Sequence, residues 1–380
     1  MKVLVTGAKG FIGKNLVAEL NNIKNKKRIH PFLTSDLMIY EYDVDTPETL
    51  LDIYTKDCDF VCHLAGVNRP EKTDDFMKGN FSFTQLLLDS LKRNKNSSPV
   101  LITSSVHAMG DTPYGNSKRA GEELLRQYGK DNNTKVLIYR LPNVFGKWCR
   151  PNYNSAVATF CNNIAHGKEI TVNDTETVLN LVYIDDVVAE FLNAIGGEEN
   201  NLGEFCEVPI VHTEKLGYIT ELIYSFKENR ENLSVPKVDN EFEKKLYSTY
   251  LSYLPEDKFS YPLKMNVDHR GSFTEFVRSN ERGQFSINIT KPGITKGNHW
   301  HHTKTEKFVV VSGKALLRFR KIGEEKIIEY HLTGDKIEVV DIPVGYTHSI
   351  INEGDTDLVT VLWCNECFDP NKPDTYFEEV

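Results

Sequence analysis

The sequence predicts an α/β doubly wound parallel sheet followed by an all-β double-sheet jelly roll. Three observations predict it. The chain opens with a short apolar run, Lys2 to Thr6, that enters a glycine-rich turn and then an apolar pattern at helical spacing. Strand-like and helix-like segments alternate to about residue 231. From Phe259 onward, short apolar alternations are cut by Gly, Asn and Asp turns at regular intervals. This predicts two domains, residues 1–250 and 251–380, with the connection near residues 245–260.

A chain of 380 residues has room for two or three domains. Its 40% hydrophobic and 26% charged residues are an ordinary globular balance. A formal charge of -9 argues against a general nucleic-acid or membrane-surface role. No apolar run reaches the roughly 18 to 20 residues of a membrane span. The N-terminus enters a strand pattern directly, without the charged and apolar regions of a leader, which predicts a cytoplasmic protein. The seven cysteines are odd in number and scattered, as in a reducing compartment. The single Cys364-x2-Cys367 lacks a second pair and reads as incidental.

Taken in order, Gly7-Ala-Lys9-Gly10-Phe11-Ile12-Gly13 joins the first strand to the helix pattern of residues 14–20. Glycines there let backbone approach a pyrophosphate, and the helix N-terminus supplies N–H groups and a favourable dipole. The second strand is expected near residues 30–34, ending without an acidic residue to hold a ribose 2′-hydroxyl. Lys9 can meet a 2′-phosphate, so both points favour NADPH. Asp59 to Gly66 is a buried strand whose small end, Leu64-Ala65-Gly66, can lie against the cofactor. Val100 to Ser105 is a strand ending in hydroxyls. Tyr114 and Lys118 are four apart and share a helical face. A neighbouring ammonium is expected to lower the phenol pKa, Tyr114 to pass a proton to a carbonyl oxygen, and Ser105 to hold that oxygen. Only nine positions separate Ser105 from Tyr114, which predicts an open site with His107 near the substrate.

The next strand leads through Arg140-Leu-Pro142-Asn143 to Gly146. The loop Lys147-Trp148-Cys-Arg150-Pro-Asn-Tyr153-Asn154 mixes cations, aromatics and amides, which suits a nucleotide base and diphosphate. Asp185 or Asp186 can cap a helix. A long helix is expected over residues 215–231. The tyrosine-rich segment 241–262 has no clear period and reads as connection.

In the second half, Gly293-x5-His299-x-His301-x4-Glu306-x6-Gly313 places two imidazoles on one strand and a carboxylate at the start of the next. Pro343-x-Gly345-x2-His348-x3-Asn352 adds a third histidine. His299, His301, Glu306 and His348 form a ligand set suited to Zn2+ or another first-row divalent ion.

The glycine turn, at Gly-x2-Gly-x2-Gly spacing, with Ser105, Tyr114 and Lys118 resembles the extended, nucleotide-sugar branch of the short-chain dehydrogenase/reductases, a Rossmann-like fold. Arg140-x-Pro142-Asn143 resembles that branch's substrate-holding stretch, and Leu181-Val-Tyr183-Ile-Asp185 its helix start. The two histidine motifs resemble those of the cupins, except that the leading glycine of the second is displaced, with Gly334 too early and Ile337 in its usual place. Asp268-x-Arg270-Gly271-x-Phe273-x-Glu275 is similar to a stretch by which cupin-fold deoxysugar epimerases bind a nucleotide sugar.

End to end, most specifically through residues 291–302 and 339–348, the chain resembles the bifunctional capsular polysaccharide synthesis enzymes. That resemblance implies a UDP-sugar substrate. The cupin domain would epimerise C3 of a UDP-2-acetamido-2,6-dideoxy-4-hexulose. The N-terminal domain would then reduce the C4 ketone with NADPH to UDP-2-acetamido-2,6-dideoxy-L-talose, for UDP-N-acetyl-L-fucosamine in capsule or O-antigen synthesis. Epimerisation needs a base, and His302, Tyr346 and Glu275 are candidates. Jelly-roll edges often pair between subunits, so a homodimer through the cupin is expected. Two rival readings are a UDP-sugar 4-epimerase or dehydratase with tightly bound NAD and a structural cupin, and a non-catalytic nucleotide-sugar sensor.

Overall fold

The computed structural model describes every residue except 69–71, 73, 154, 238 and 280. Asn154 therefore lies outside the described residues. The chain packs as two units, Met1–Tyr224 with Val238–Pro255, and Ser225–Lys237 with Glu256–Val380.

Within the first unit a five-stranded parallel sheet runs in the order Met38–Tyr42, Lys2–Thr6, Phe60–His63, Val100–Ser105, Val136–Leu141. Alternation sends Val3 and Val5 to one face and Leu4 to the other. Val3 and Val5 pack with Leu16 and Leu20 of helix Phe11–Lys24 and with Val187 and Phe191 of helix Ile184–Ile195. Leu4 packs with Leu87 and Leu91 of helix Phe83–Arg93 and Leu125 of helix Pro113–Asn132. Helices thus cover both faces, as a doubly wound sheet requires.

The second strand is not at residues 30–34. Met38–Tyr42 fills that place, pairing in parallel with Lys2–Thr6. It lies at the sheet's edge and is half-exposed, so it lacks the apolar run of a central strand. Asp43 follows it directly, which removes the expectation that this strand ends without an acidic residue.

Segment 241–262 also departs from expectation, because Glu241–Leu251 is a helix. The Asn240 side chain accepts the Glu243 N–H at 3.1 Å, capping the start. Phe242, Leu246, Thr249 and Tyr250 form its buried stripe. Residues 225–237 join the second unit, where the Arg278 N–H donates to the Leu233 carbonyl at 2.8 Å.

The second unit is all β apart from the short segments at its start. One antiparallel sheet has six strands and another five. Phe308, Leu358 and Leu362 from the first and Leu317, Phe319 and Ile350 from the second share one core, giving the expected double-sheet architecture. Strand Thr295–Trp300 pairs on one side with Tyr346–Asn352 and on the other with the C-terminal Tyr376–Phe377. Among the described residues no helix is long and apolar enough to cross a membrane.

Candidate active site and metal centre

The glycine turn needs its glycines. Gly7 has φ +70°, and a Cβ there would meet the Ala65 nitrogen at 2.6 Å. A Cβ at Gly13 would stand 2.1 Å from the Gly7 carbonyl oxygen. Ala65 therefore braces the turn from behind. Gly7, Lys9, Gly10, Phe11, Ile12, Gly13, Leu64 and Gly66 line a cavity of about 600 Å³, and Ser105, His107, Tyr114, Lys118, Asn143 and Arg150 line the same cavity. Trp148 and Tyr153 complete its rim, with the Arg150 guanidinium 5.2 Å from the Tyr153 ring centre.

Strand Val100–Ser105 ends at the cavity, and a short turn over Val106–Met109 returns the chain into helix Pro113–Asn132. Thr112 caps that helix by accepting the Gly115 N–H at 3.0 Å, with Pro113 at its first position. The nine-residue separation is thus spanned by a turn and a cap. Lys118 is buried and donates to the Thr103 carbonyl at 3.2 Å. Burial lowers its pKa to about 8, against the raising effect of the Glu122 charge. Glu122 is itself fully buried and held by Arg140 at 2.7 and 2.9 Å.

Tyr114 corrects an expectation. Burial raises its pKa, the Ser105 hydroxyl offsets part of that rise, and Tyr153 adds to it. The phenol is therefore protonated at neutral pH, the form a proton donor needs. Lys9 also has company the sequence did not suggest. Its backbone N–H donates to Asp43 Oδ2 at 2.7 Å, and its ammonium pairs with Asp45 on the surface.

In the second unit, His299, His301, Glu306 and His348 present ligand atoms that all lie within 4.8 Å of one another. The register explains it, since His299 sits opposite His348 across the ladder and Glu306 opens strand Glu306–Ser312. Glu306 Oε2 is 3.5 Å from His301 Nε2 and 3.3 Å from His348 Nε2. These three atoms are buried without hydrogen-bond partners, a costly arrangement unless something else satisfies them. Burial lowers the His299 pKa to about 4, so its imidazole is neutral and free to ligate. Burial alone would raise the Glu306 pKa, but His301 and His348 reverse the sign and hold it ionised. Burial acts against the charge on His301, but Glu306 and the Asp374 carbonyl raise its pKa, so an ion would take the place of a proton there; three imidazoles and an ionised carboxylate are a donor set that fits a divalent ion.

A cavity of about 410 Å³ opens onto this cluster, lined by His299, His301 and Glu306 together with Glu275, Arg278, Lys304, Cys364 and Glu366. Of the candidate bases, only Glu275 is among its lining residues. The His302 side chain is exposed and packs on Trp300 and Tyr376, with ring centres 4.5 and 5.0 Å away. Arg270 lines another cavity of the same unit, of about 580 Å³, with Asp268 and Lys296. The Cys364 thiol, read as incidental, donates to Glu306 Oε1 at 3.1 Å.

Comparison with known proteins agrees with both halves. Residues 3–203 match the NAD dependent epimerase/dehydratase family, and residues 266–376 match the polysaccharide biosynthesis C-terminal domain. The chain is 44% identical over 376 residues to UDP-2-acetamido-2,6-beta-L-arabino-hexul-4-ose reductase of Pseudomonas aeruginosa, covering 99% of this chain and 98% of that one. It is similar to the crystal structure of the capsular polysaccharide assembling protein CapF from Staphylococcus aureus, with a TM-score of 0.92, 55% identity and 100% of both chains covered. A structure of CapF with the inhibitor 3-isopropenyl-tropolone matches with a TM-score of 0.88 and 51% identity, again over 100% of both chains. With its fold, its glycine turn and these full-length matches, the chain belongs to the NAD dependent epimerase/dehydratase family, and its second unit matches the polysaccharide biosynthesis C-terminal domain.

Proposed function

We propose that the chain is a bifunctional nucleotide-sugar enzyme. The second unit epimerises C3 of a UDP-2-acetamido-2,6-dideoxy-4-hexulose. The first reduces the C4 ketone with NADPH, giving UDP-2-acetamido-2,6-dideoxy-L-talose for capsule or O-antigen synthesis. The observation that carries the reading is one cavity lined by the glycine turn, Ser105, Tyr114 and Lys118, in a chain 44% identical to a UDP-4-ketohexulose reductase over nearly its whole length.

In the reductase site Gly7, Lys9, Gly10, Gly13 and Lys118 would hold NADPH, which when bound would supply a hydride for C4. Ser105 holds the ketone oxygen and Tyr114 gives it a proton, so one C–H and one O–H bond form. Lys118 keeps a positive charge beside the phenol as that proton leaves. His107, Asn143 and Arg150 orient the nucleotide sugar.

In the epimerase site His299, His301, Glu306 and His348 would hold a divalent ion, Zn2+ by ligand type. When bound, the ion supplies Lewis-acid polarisation of the C4 carbonyl. Glu275 takes the C3 proton, and solvent water supplies a proton to the opposite face, the Glu275 proton then passing to solvent. Arg278, paired with Glu275 at 2.7 Å, fixes the direction of that carboxylate. Arg270 contributes to holding the nucleotide. We assign the working form to a cytoplasmic homodimer, consistent with the free cysteines and with exposed edge residues such as Phe377.

Asp43 favours a second reading. A carboxylate at the end of the second strand suits the 2′-hydroxyl of NAD, as in an epimerase or dehydratase that keeps its cofactor. Measuring NADPH consumed per keto sugar separates the two. The proposal predicts one NADPH per C4 alcohol formed, and product without net consumption would favour the second reading.

A further inference from the structure

The C-terminal segment meets the metal-ligand cluster at several points. The His301 Nδ1–H donates to the Asp374 carbonyl at 2.6 Å. The Asp374 carboxylate accepts the N–H groups of His302, Thr303 and Lys304 at 3.0, 2.9 and 2.9 Å, and the Thr303 hydroxyl at 3.1 Å. It therefore pins the turn that joins His301 to Glu306. On the other edge, Phe377 pairs with His299 and the Glu378 N–H donates to the Asn298 carbonyl at 3.0 Å. Two ligands and the loop between strands are gripped by one stretch of tail.

We infer that the C-terminal segment 373–378 is the outer support of the metal site, and that Asp374 is the positioning residue that makes His301 an Nε2 ligand. An imidazole has two nitrogens, and a hydrogen bond at one decides which is left for a metal. With Nδ1 donating to the Asp374 carbonyl, His301 directs Nε2 toward Glu306, and that nitrogen is buried without another partner. Asp374 has φ +37°, a left-handed backbone that non-glycine residues rarely adopt. Its carboxylate bonds hold that conformation and so aim the carbonyl at the ring. The tail thus does more than close the sheet edge, since one residue fixes both a ligand's tautomer and the path of the chain to the next ligand.

The inference rests on the metal reading proposed above, and the test separates the two. Full-length protein is stripped with a chelator. Zn2+ affinity is then read by competition with a chromophoric chelator, and the visible bands of Co2+ are recorded as it is titrated in. Wild type should bind one ion per chain. Asp374→Ala should bind about 10- to 100-fold more weakly, with altered Co2+ bands, while its metal-free melting temperature stays close to wild type. Asp374→Asn keeps one acceptor oxygen for the turn and should fall between. Wild-type affinity and Co2+ bands in a folded Asp374→Ala protein would overturn the inference. If that variant does not fold, Asp374→Asn carries the test, and unchanged affinity there overturns it. Absence of ion binding by wild type would overturn the metal reading and the inference together.

Discussion

The Lys118 ammonium stands 6.0 Å from the centre of the Tyr114 ring, inside a cavity wall whose burial moves the two groups in opposite directions. The phenol is held as an acid and the amine is brought closer to neutrality. That pairing suits reduction, in which the site must give up a proton as hydride arrives.

Replacing the acid should therefore separate the two activities. Tyr114→Phe is expected to lower NADPH oxidation by about 100-fold or more, while exchange of the C3 proton continues. NADPH oxidation by absorbance and C3 exchange by NMR check this. Loss of both together would contradict separate sites.

The Lys118 pKa gives a pH dependence with a definite sign. The ammonium is present below about 8 and lost above it. The kcat/KM for reduction should therefore fall as pH rises through that value. Lys118→Arg, charged throughout, should lack this limb even if its overall rate is lower. A wild-type profile that stays flat well above 8 would contradict a role for the Lys118 charge.

His299 tests the metal centre from the ligand side. His299→Ala should lower bound Zn2+, measured by elemental analysis, and slow C3 exchange, with NADPH oxidation on a pre-epimerised substrate unaffected. Unchanged exchange would remove the ion from the mechanism.

Cofactor choice turns on Lys9 and its carboxylate neighbours. An exposed ion pair contributes little, so Asp45 does not lock the ammonium in place. Lys9→Ala should weaken NADPH binding by about 10- to 100-fold, the loss of a charged hydrogen bond, with little change for NADH. Equal losses for both would discard the 2′-phosphate contact and favour Asp43 as a ribose ligand.

Local signals made much of this legible in the sequence. The glycine turn and the spacings of Ser105, Tyr114, Lys118, His299, His301 and Glu306 are short-range patterns, and each sits on the strand, turn or helix its spacing implied except His301, which follows the end of strand Thr295–Trp300 by one position. Met38–Tyr42 was hidden because an edge strand needs no apolar run. Glu241–Leu251 was hidden because tyrosines blurred a stripe that the Asn240 cap would have revealed. Asp374 left no local trace, since it acts on a turn some seventy positions away. The direction of the Tyr114 shift depends on burial, which composition cannot give.

The most direct test of two activities in one chain is proton NMR of UDP-2-acetamido-2,6-dideoxy-4-hexulose in deuterated water. The account predicts deuterium uptake at C3 without NADPH, followed by C4 reduction when NADPH is added. Reduction with no C3 exchange at any stage would contradict it, leaving a simple reductase with a structural second unit.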